Sequence, residues 1–574
     1  MKIPQMMKML KIHKAAIFLA VLAGIIIVSP QVYFRYDNQQ EYRGIDFITS
    51  YEETFYLSRI QEAREGHFRL GGALFKEGKQ DPYLQPPLGE ILIASSGRAL
   101  FLDLNNTILL ARFILPFLSF LIIYAFVFLI SRERLTAIAA SAVILLADGL
   151  FVNNENFFSL LGLFIGKIPA FPPGLQFYRP VHPQFSSLFF FAFLLSFWLF
   201  YERKKWRFGV LAAFILGLSF YIYSYLWTFL LVFWGIFLLI IFFQKRWSLL
   251  KKMASMLFLG SLIGIPSFLN YYLLLHHPYS ADLFKRLVLG EIPRVLHLPF
   301  SGIFLLIVFL IFFPRKWKER YYFILASLLV PFFLYNQHLI TGRNIQVAHY
   351  WRYYRLPLAF IISIILPSFF LSAKENLNKF KKPLFLLLIA SVFLAGIVSQ
   401  ANAYSQHKSM VLSSQRYGPV LEYLNWNAQK EEVALADPDL SNFIPTYTRL
   451  NIFYHMVPDY PAISKERLVE TLFLYHRLEG VDKEDAFKIF TRYGEEIYQK
   501  FSISAYYGQT DEASRSLAEK YGNFLQIPLD EVLKKYGINY IIRDAENSGG
   551  WSLGEYQFLR KIYEDGEFEI FKVL

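Results

Sequence analysis

Residues 106–131 read NTILLARFILPFLSFLIIYAFVFLIS, an apolar run whose sole charge is Arg112. About twenty such residues cross the hydrocarbon core of a bilayer as a helix. The same texture recurs from Ala15 to about Pro30 and at 134–151, 184–201, 207–222, 224–243, 253–275, 298–313, 320–336, 355–373 and 382–400. The chain is therefore expected to be mainly α, a polytopic transmembrane helical bundle of about eleven spans. Its 55% apolar and 18% aromatic content, with 60 Phe and 37 Tyr, exceeds that of an ordinary soluble domain.

The charge pattern supports this reading. The formal charge is +13, and the basic residues fall in short clusters between apolar runs: Arg132–Arg134, Arg203–Arg207, Lys245-Arg246 with Lys251-Lys252, Arg315–Lys318 and Lys379–Lys382. Under this span count all five lie on one side, as the positive-inside rule requires, so they mark cytoplasmic loops and argue against nucleic acid as the partner. Lys2, Lys8, Lys11 and Lys14 before the first span put the N-terminus in the cytoplasm. The expectation is a multi-pass protein of the cytoplasmic (plasma) membrane. It needs a tight outward turn at Tyr221–Tyr225, since one long helix over 207–243 would invert everything downstream. With no cysteine, thiolate chemistry and disulfides are excluded.

Residues 1–400 thus form the membrane domain, and residues 34–104 are its first outer loop. From 401 to 574 the long apolar runs stop. Val433–Ala436, Tyr540–Ile542 and Phe568–Val573 read as strands, and Arg467–Leu478, Lys483–Arg492 and Leu529–Lys535 as helices. A C-terminal soluble α/β or α+β domain on the extracytoplasmic side follows. It carries no glycine-rich phosphate loop, no HExxH and no serine elbow, so no chemistry is assigned to it.

Within the first outer loop, Thr49-Ser50-Tyr51-Glu52-Glu53-Thr54-Phe55-Tyr56 places two adjacent carboxylates at a helix start, with Tyr56, Arg59 and Glu62 following at helical spacing. Thr49 or Ser50 could cap that helix, and acidic residues in a first turn suit its dipole whether or not they do chemistry. Three later outer segments gather polar residues. One holds Asn153–Asn156, Lys167, Pro172-Pro173, Arg179, His182 and Gln184; the second holds His276-His277, Asp282, Lys285-Arg286, Arg294 and His297. The third runs from Tyr335 through Arg343, Asn344 and Gln346 to His349, Arg352 and Arg355. Each could be an interfacial belt. Their number on the side of Glu52 and Glu53 favours a composite site.

Taken in order, Glu52-Glu53 with Tyr56 and Gly66, the return Gln85-Pro86-Pro87-Leu88, and Ala111-Arg112 early in the next span resemble the GT-C glycosyltransferases. The pattern is similar to that of the lipid A aminoarabinose transferases and protein O-mannosyltransferases. It covers the first 130 residues in motif and the next 270 in outline. The resemblance implies a membrane glycosyltransferase that moves a sugar from a polyprenyl-phosphate-linked donor to a lipid, glycan or protein acceptor. Glu52 would be the general base and Glu53 its helper or the partner of a divalent cation. Tyr56, Arg59, Arg112, Arg179, His182, Arg343, His349, Arg352 and Arg355 would bind substrate, with Arg343, Arg352, Arg355, Arg179 and His349 the candidates for the leaving phosphate. The sequence departs from the family where Glu52 stands for the usual Asp and Gln85 for a basic residue. His182 or Gln184 stands about where a further family carboxylate falls. A second reading follows from those departures: a catalytically silent or transporter-like protein that binds lipid-linked glycan.

Overall fold

The computed structural model describes the chain except residues 1–2, 148–173, 290, 314–317, 344, 374, 456–460 and 509. Asn153–Asn156, Lys167, Pro172-Pro173, Arg315–Trp317 and Asn344 therefore lie outside the described residues. Among the described residues seven helices are long and apolar enough to cross a membrane, or eight if the bent pair Trp247–Ile263 and Ile265–Leu275 is one span. Arg134–Leu146, Trp206–Ser219 and Gly302–Phe312 are shorter apolar helices. Every expected span has a counterpart among these. The 207–243 stretch is divided, with helices Trp206–Ser219 and Ser224–Phe243 on either side of a short break.

Contacts group the chain into two compact units. The first comprises Met1–Gln40, Asn105–Phe268 and Glu291–Val411, and holds most of the apolar helices. Phe193, Phe197, Phe233, Trp234 and Phe237 pack edge to face or tilted at ring separations near 5–6 Å, which is how so aromatic a chain fills its helix contacts. The last span does not stop near residue 400: its helix runs from Glu375 to Ser414. The polar residues beyond 400 remain helical because Tyr404 and Lys408 donate to Asp37.

The second unit comprises Glu41–Leu104, Leu269–Gly290 and Leu412–Leu574, so the first outer loop folds with the C-terminal sequence rather than beside it. Its sheet has the order β2-β1-β3-β5-β4, with β1 Val433–Leu435, β2 Asn451–Ile452, β3 Ile538–Asp544, β4 Leu559–Glu564 and β5 Phe568–Val573. β1 is parallel to β2 and β3; β5 runs antiparallel to β3 and β4. Helices Lys465–Leu478, Lys483–Lys500 and Asp511–Leu525 cover the sheet through a core that includes Leu435, Leu472, Phe490, Leu517, Tyr521 and Ile541.

The outer loop is joined to this sheet at several points. Ile452 N donates to Leu74 O at 2.9 Å. The turn that presents Leu74 needs glycine at 71 and 72, because a Cβ there would lie 2.2 Å from Asp81 O and 2.6 Å from Glu77 O. Farther along, Lys79 Nζ bridges Glu62 at 2.9 Å and Glu431 at 3.2 Å, and His67 touches the same two carboxylates. Arg286 donates to the carbonyls of Pro461 and Ile463, which ties Leu269–Gly290 to the unit.

The helix expected at the acidic pair spans Glu52–Arg64. The sequence suggests an amphipathic helix with Tyr56, Arg59 and Glu62 on a polar face, yet all three are buried. Pairing explains the difference. Arg59 Nε donates to Glu90 Oε1 at 2.6 Å, Nη1 to Leu70 O at 3.1 Å and Nη2 to Gln85 O at 3.0 Å. Gln85 Nε2 also donates to Glu90 Oε1 at 3.2 Å. One carboxylate oxygen and two loop carbonyls thus pair the buried guanidinium, while Glu90 Oε2 takes no hydrogen bond among the described residues.

Removing one partner of a buried pair leaves the other charge uncompensated, at a cost of about 3–5 kcal/mol. Arg59→Met should therefore lower the thermal unfolding midpoint sharply and open the 66–87 segment to limited proteolysis. A variant with the parent's melting curve would show that the pair is not what holds the loop.

Candidate functional site

Glu52 and Glu53 lie next to each other in one helical turn and so point about a hundred degrees apart. Glu52 is exposed, whereas Glu53 is 1% exposed. Neither Thr49 nor Ser50 caps the helix. Tyr51 occupies the cap position without a side-chain cap, and the Thr49 backbone N–H instead donates to Glu53 Oε2 at 3.4 Å. Glu53 can take this role because its side chain is long enough to reach back along the first turn.

The helix is seated through hydroxyls. Ser58 Oγ and Thr446 Oγ1 are 2.7 Å apart, and Thr446 Oγ1 also donates to Thr54 O at 3.2 Å. Tyr51 packs edge to face on Phe443, with centroids 6.0 Å apart. Tyr56 is buried against Phe55, and the Arg59 guanidinium lies 5.6 Å from the same Phe55 ring. Arg59 is thus engaged inside the unit and positions the helix.

The seat is close to a group of side chains to which the sequence assigned no chemistry. β1, β2 and β3 run in the same direction. Asp437 follows the end of β1, His455 follows β2, and Asp544 is the last residue of β3. Carboxyl ends of parallel strands are where open α/β sheets gather polar function. Asp437 Oδ1 accepts from the N–H groups of Asp439 and Leu440, while Oδ2 takes no hydrogen bond among the described residues. Asp544 is fully buried and accepts from Arg416, from Glu546 N at 2.8 Å and from Asn547 Nδ2 at 3.1 Å.

Their surroundings shift these groups. Burial raises the Asp437 carboxyl to about 6, opposed by its backbone donors and helped by Asp544. Burial also holds the His455 imidazole down to about 3, so it is neutral; its ring is 6.4 Å from Phe55. Burial and the nearby Asp439 carboxylate push the Tyr51 phenol up. A sequence signal for Asp437 was present: a strand followed at once by Asp-Pro is a helix-start pattern.

The cationic candidates other than Arg59 lie in the first unit. His182, 1% exposed, stacks on Tyr223 with centroids 3.9 Å apart. The Tyr223 hydroxyl meets His349 Nδ1 at 2.7 Å, and Tyr225 stacks on the other side of His349 at 4.5 Å. Tyr353, 5.8 Å from His349 ring to ring, accepts from Arg179 Nη2 at 3.3 Å. Arg179, His182 and His349 are therefore drawn into one aromatic cluster. Arg352 is exposed on the same turn as Tyr353, and Gln176 donates to its carbonyl at 3.3 Å.

Arg355 turns elsewhere. It is 8% exposed and donates to the Tyr335 hydroxyl at 3.1 Å; a Cβ at Gly302 would lie 3.2 Å from Nη2. Exposed Arg343 sits on the adjoining segment, whose backbone bridges Glu291. Arg112, 1% exposed, donates from Nη1 to the Gln31 amide oxygen at 2.8 Å, inside the bundle. Among the described residues no three His, Asp or Glu side chains are placed to hold a metal ion, and no step below is routed through one.

No family model and no curated protein matches the chain. Among solved structures it is similar to ArnT from Cupriavidus metallidurans bound to undecaprenyl phosphate, with TM-score 0.43 and 11% identity over 96% of this chain and 97% of that one. The apo form of that protein gives TM-score 0.41 and 12% identity over 90% and 93%. Archaeal oligosaccharyltransferase AglB from Archaeoglobus fulgidus, in complex with an inhibitory peptide and a dolichol-phosphate, gives TM-score 0.45 and 11% identity over 93% and 69%. The site is accordingly read from its own residues.

Because its folded pKa, about 6, is above the ordinary 3.8, Asp437 keeps a proton in the native chain that the unfolded chain gives up. Its contribution to stability is thus greatest below 3.8 and is lost as pH rises to about 6, an effect on the order of 3 kcal/mol. Asp437→Asn keeps the cap acceptor and removes the titration. Its unfolding midpoint should fall less than the parent's between about pH 4 and about pH 7. Parallel pH profiles would show that Asp437 does not titrate in this window.

Proposed function

We propose that the protein is an integral membrane glycosyltransferase of the GT-C kind, which moves a sugar from a polyprenyl-phosphate-linked donor to an acceptor hydroxyl on the outer side of the cytoplasmic membrane. The observation that carries this reading is the division of labour in the acidic pair. Glu53 is buried and engaged at the helix start, while its neighbour Glu52 is exposed. Adjacent residues in one helical turn diverge, so burying Glu53 turns Glu52 outward, where an acceptor hydroxyl can approach it. The ordered motif resemblance around it supplies the reaction class, as analogy.

In this reading the Glu52 carboxylate takes the proton of the acceptor hydroxyl, and the acceptor oxygen bonds to the sugar's anomeric carbon. The bond from that carbon to the phosphate oxygen breaks, and its electron pair leaves with polyprenyl phosphate. A carboxylate also balances the positive charge that develops on the sugar ring. Arg179, Arg343, His349, Arg352 and Arg355 are the candidates for the leaving phosphate, which guanidinium groups bind well by donating two hydrogen bonds at once. The aromatic cluster around His182 and His349 suits a membrane interface, where one side of a ring is apolar and the other wet. Arg59 and Arg112 are assigned to holding helices. Glu53 orients the helix start, and Tyr56 packs beneath it.

The residue test separates rate from stability. Glu52→Gln should cut transfer by about 10²–10⁴, the usual worth of a general base. Donor binding and the melting curve should be unchanged, since an exposed first-turn glutamate contributes only about 0.3–1 kcal/mol. Parental turnover by this variant would return the pair to a purely structural role.

A further inference from the structure

The helices Lys465–Leu478 and Asp511–Leu525 flank an open cleft of about 300 Å³ in the second unit. That is the lower end of the range typical of ligand pockets and suits one or two sugar rings. Its residues are distinct from those of the acidic helix and from the Asp437–His455–Asp544 group. Buried Phe473 and Phe524, with rings 5.6 Å apart, form its apolar floor, and half-buried Tyr507 supplies an aromatic wall. Lys465, Lys520 and Asn523 stand at its rim as donors.

The charges at this rim are unequally engaged. Glu470 is taken up by Lys535 at 2.5 Å and by the Tyr536 hydroxyl, so its charge is already compensated. Lys520 Nζ lies 3.3 Å from the Tyr507 hydroxyl and 5.6 Å from its ring centroid; Lys465 Nζ is 5.9 Å from the Tyr506 ring centroid. Among the described residues neither ammonium pairs with a carboxylate, although Glu466 stands nearby at the rim. Two ammonium groups and an amide beside an aromatic wall make an amphipathic cleft. The apolar C–H face of a pyranose fits the Tyr507 ring, Glu466 and Asn523 can exchange hydrogen bonds with its hydroxyls, and an anionic substituent satisfies the lysines.

We infer that this cleft is a binding site for a sugar carrying an anionic group, and that the second unit holds an acidic glycan there. The inference stands apart from the transfer reading, because binding is measured without turnover and at residues outside the acidic helix.

The test uses the purified full chain in detergent. A disaccharide containing glucuronate and its neutral glucose counterpart are titrated at millimolar concentration, with saturation-transfer NMR as the readout. The uronate should bind about tenfold more tightly than the neutral sugar. Lys520→Gln should abolish that preference without moving the melting curve, and Lys520→Arg should retain it. If Lys520→Gln proves unstable, Asn523→Ala, also at the rim, should weaken both sugars in a folded protein. Equal affinity for the two disaccharides, no binding of either, or an unchanged preference in folded Lys520→Gln would overturn the inference.

Discussion

Burying a guanidinium is costly unless it is paired and hydrogen-bonded, and the first outer loop is arranged around that constraint at Arg59. Its three nitrogens reach Glu90 and the carbonyls of Leu70 and Gln85, which fixes three separate segments of loop relative to one helix. The position of the acidic pair follows from this. With the Glu52–Arg64 helix clamped from within and seated on Thr446, its first turn has one orientation, and adjacent residues in that turn must diverge. One glutamate is carried inside and the other outside. The chemistry assigned to Glu52 depends on a packing arrangement several residues away.

The membrane spans were the most legible part of the sequence, because in lipid the backbone must satisfy itself within each segment and long apolar runs have few alternatives. Even the break between residues 219 and 224 was legible, through the basic clusters on either side of it. The outer loop was less so. Tyr56, Arg59 and Glu62 read as a solvated face, since helical spacing does not say whether a polar residue meets water or a buried partner more than twenty residues away. In the C-terminal sequence β1, β3 and β5 were anticipated from β-branched and aromatic runs. The two-residue β2 is too short to leave a pattern, and β4, LRKIYE, is a half-exposed edge strand. The helix Asp511–Leu525 was passed over although Thr510 caps it and Asp511-Glu512 follow, a start signal that can be read from the sequence.

The candidate site was legible as types of residue rather than as an arrangement. Counting Arg and His near span ends identified Arg179, His182 and His349. It could not show that Tyr223, Tyr225 and Tyr353 bind them into one cluster while Arg355 turns to Tyr335. Nor could it reveal Asp437, His455 and Asp544, which are far apart in sequence and come to the same end of the sheet because three strands run parallel. Parallel pairing is a non-local fact, and single-sequence reading has little access to it.

The account's central claim is that lipid-linked sugar is transferred and not merely held. The most direct measurement reconstitutes the purified protein into liposomes with a radiolabelled polyprenyl-phosphate sugar and a membrane extract as the source of acceptor. Label should move into acceptor while an equal amount of polyprenyl phosphate is freed. Saturable binding of a donor that stays intact throughout would contradict the claim and leave a lipid-glycan binding protein in its place.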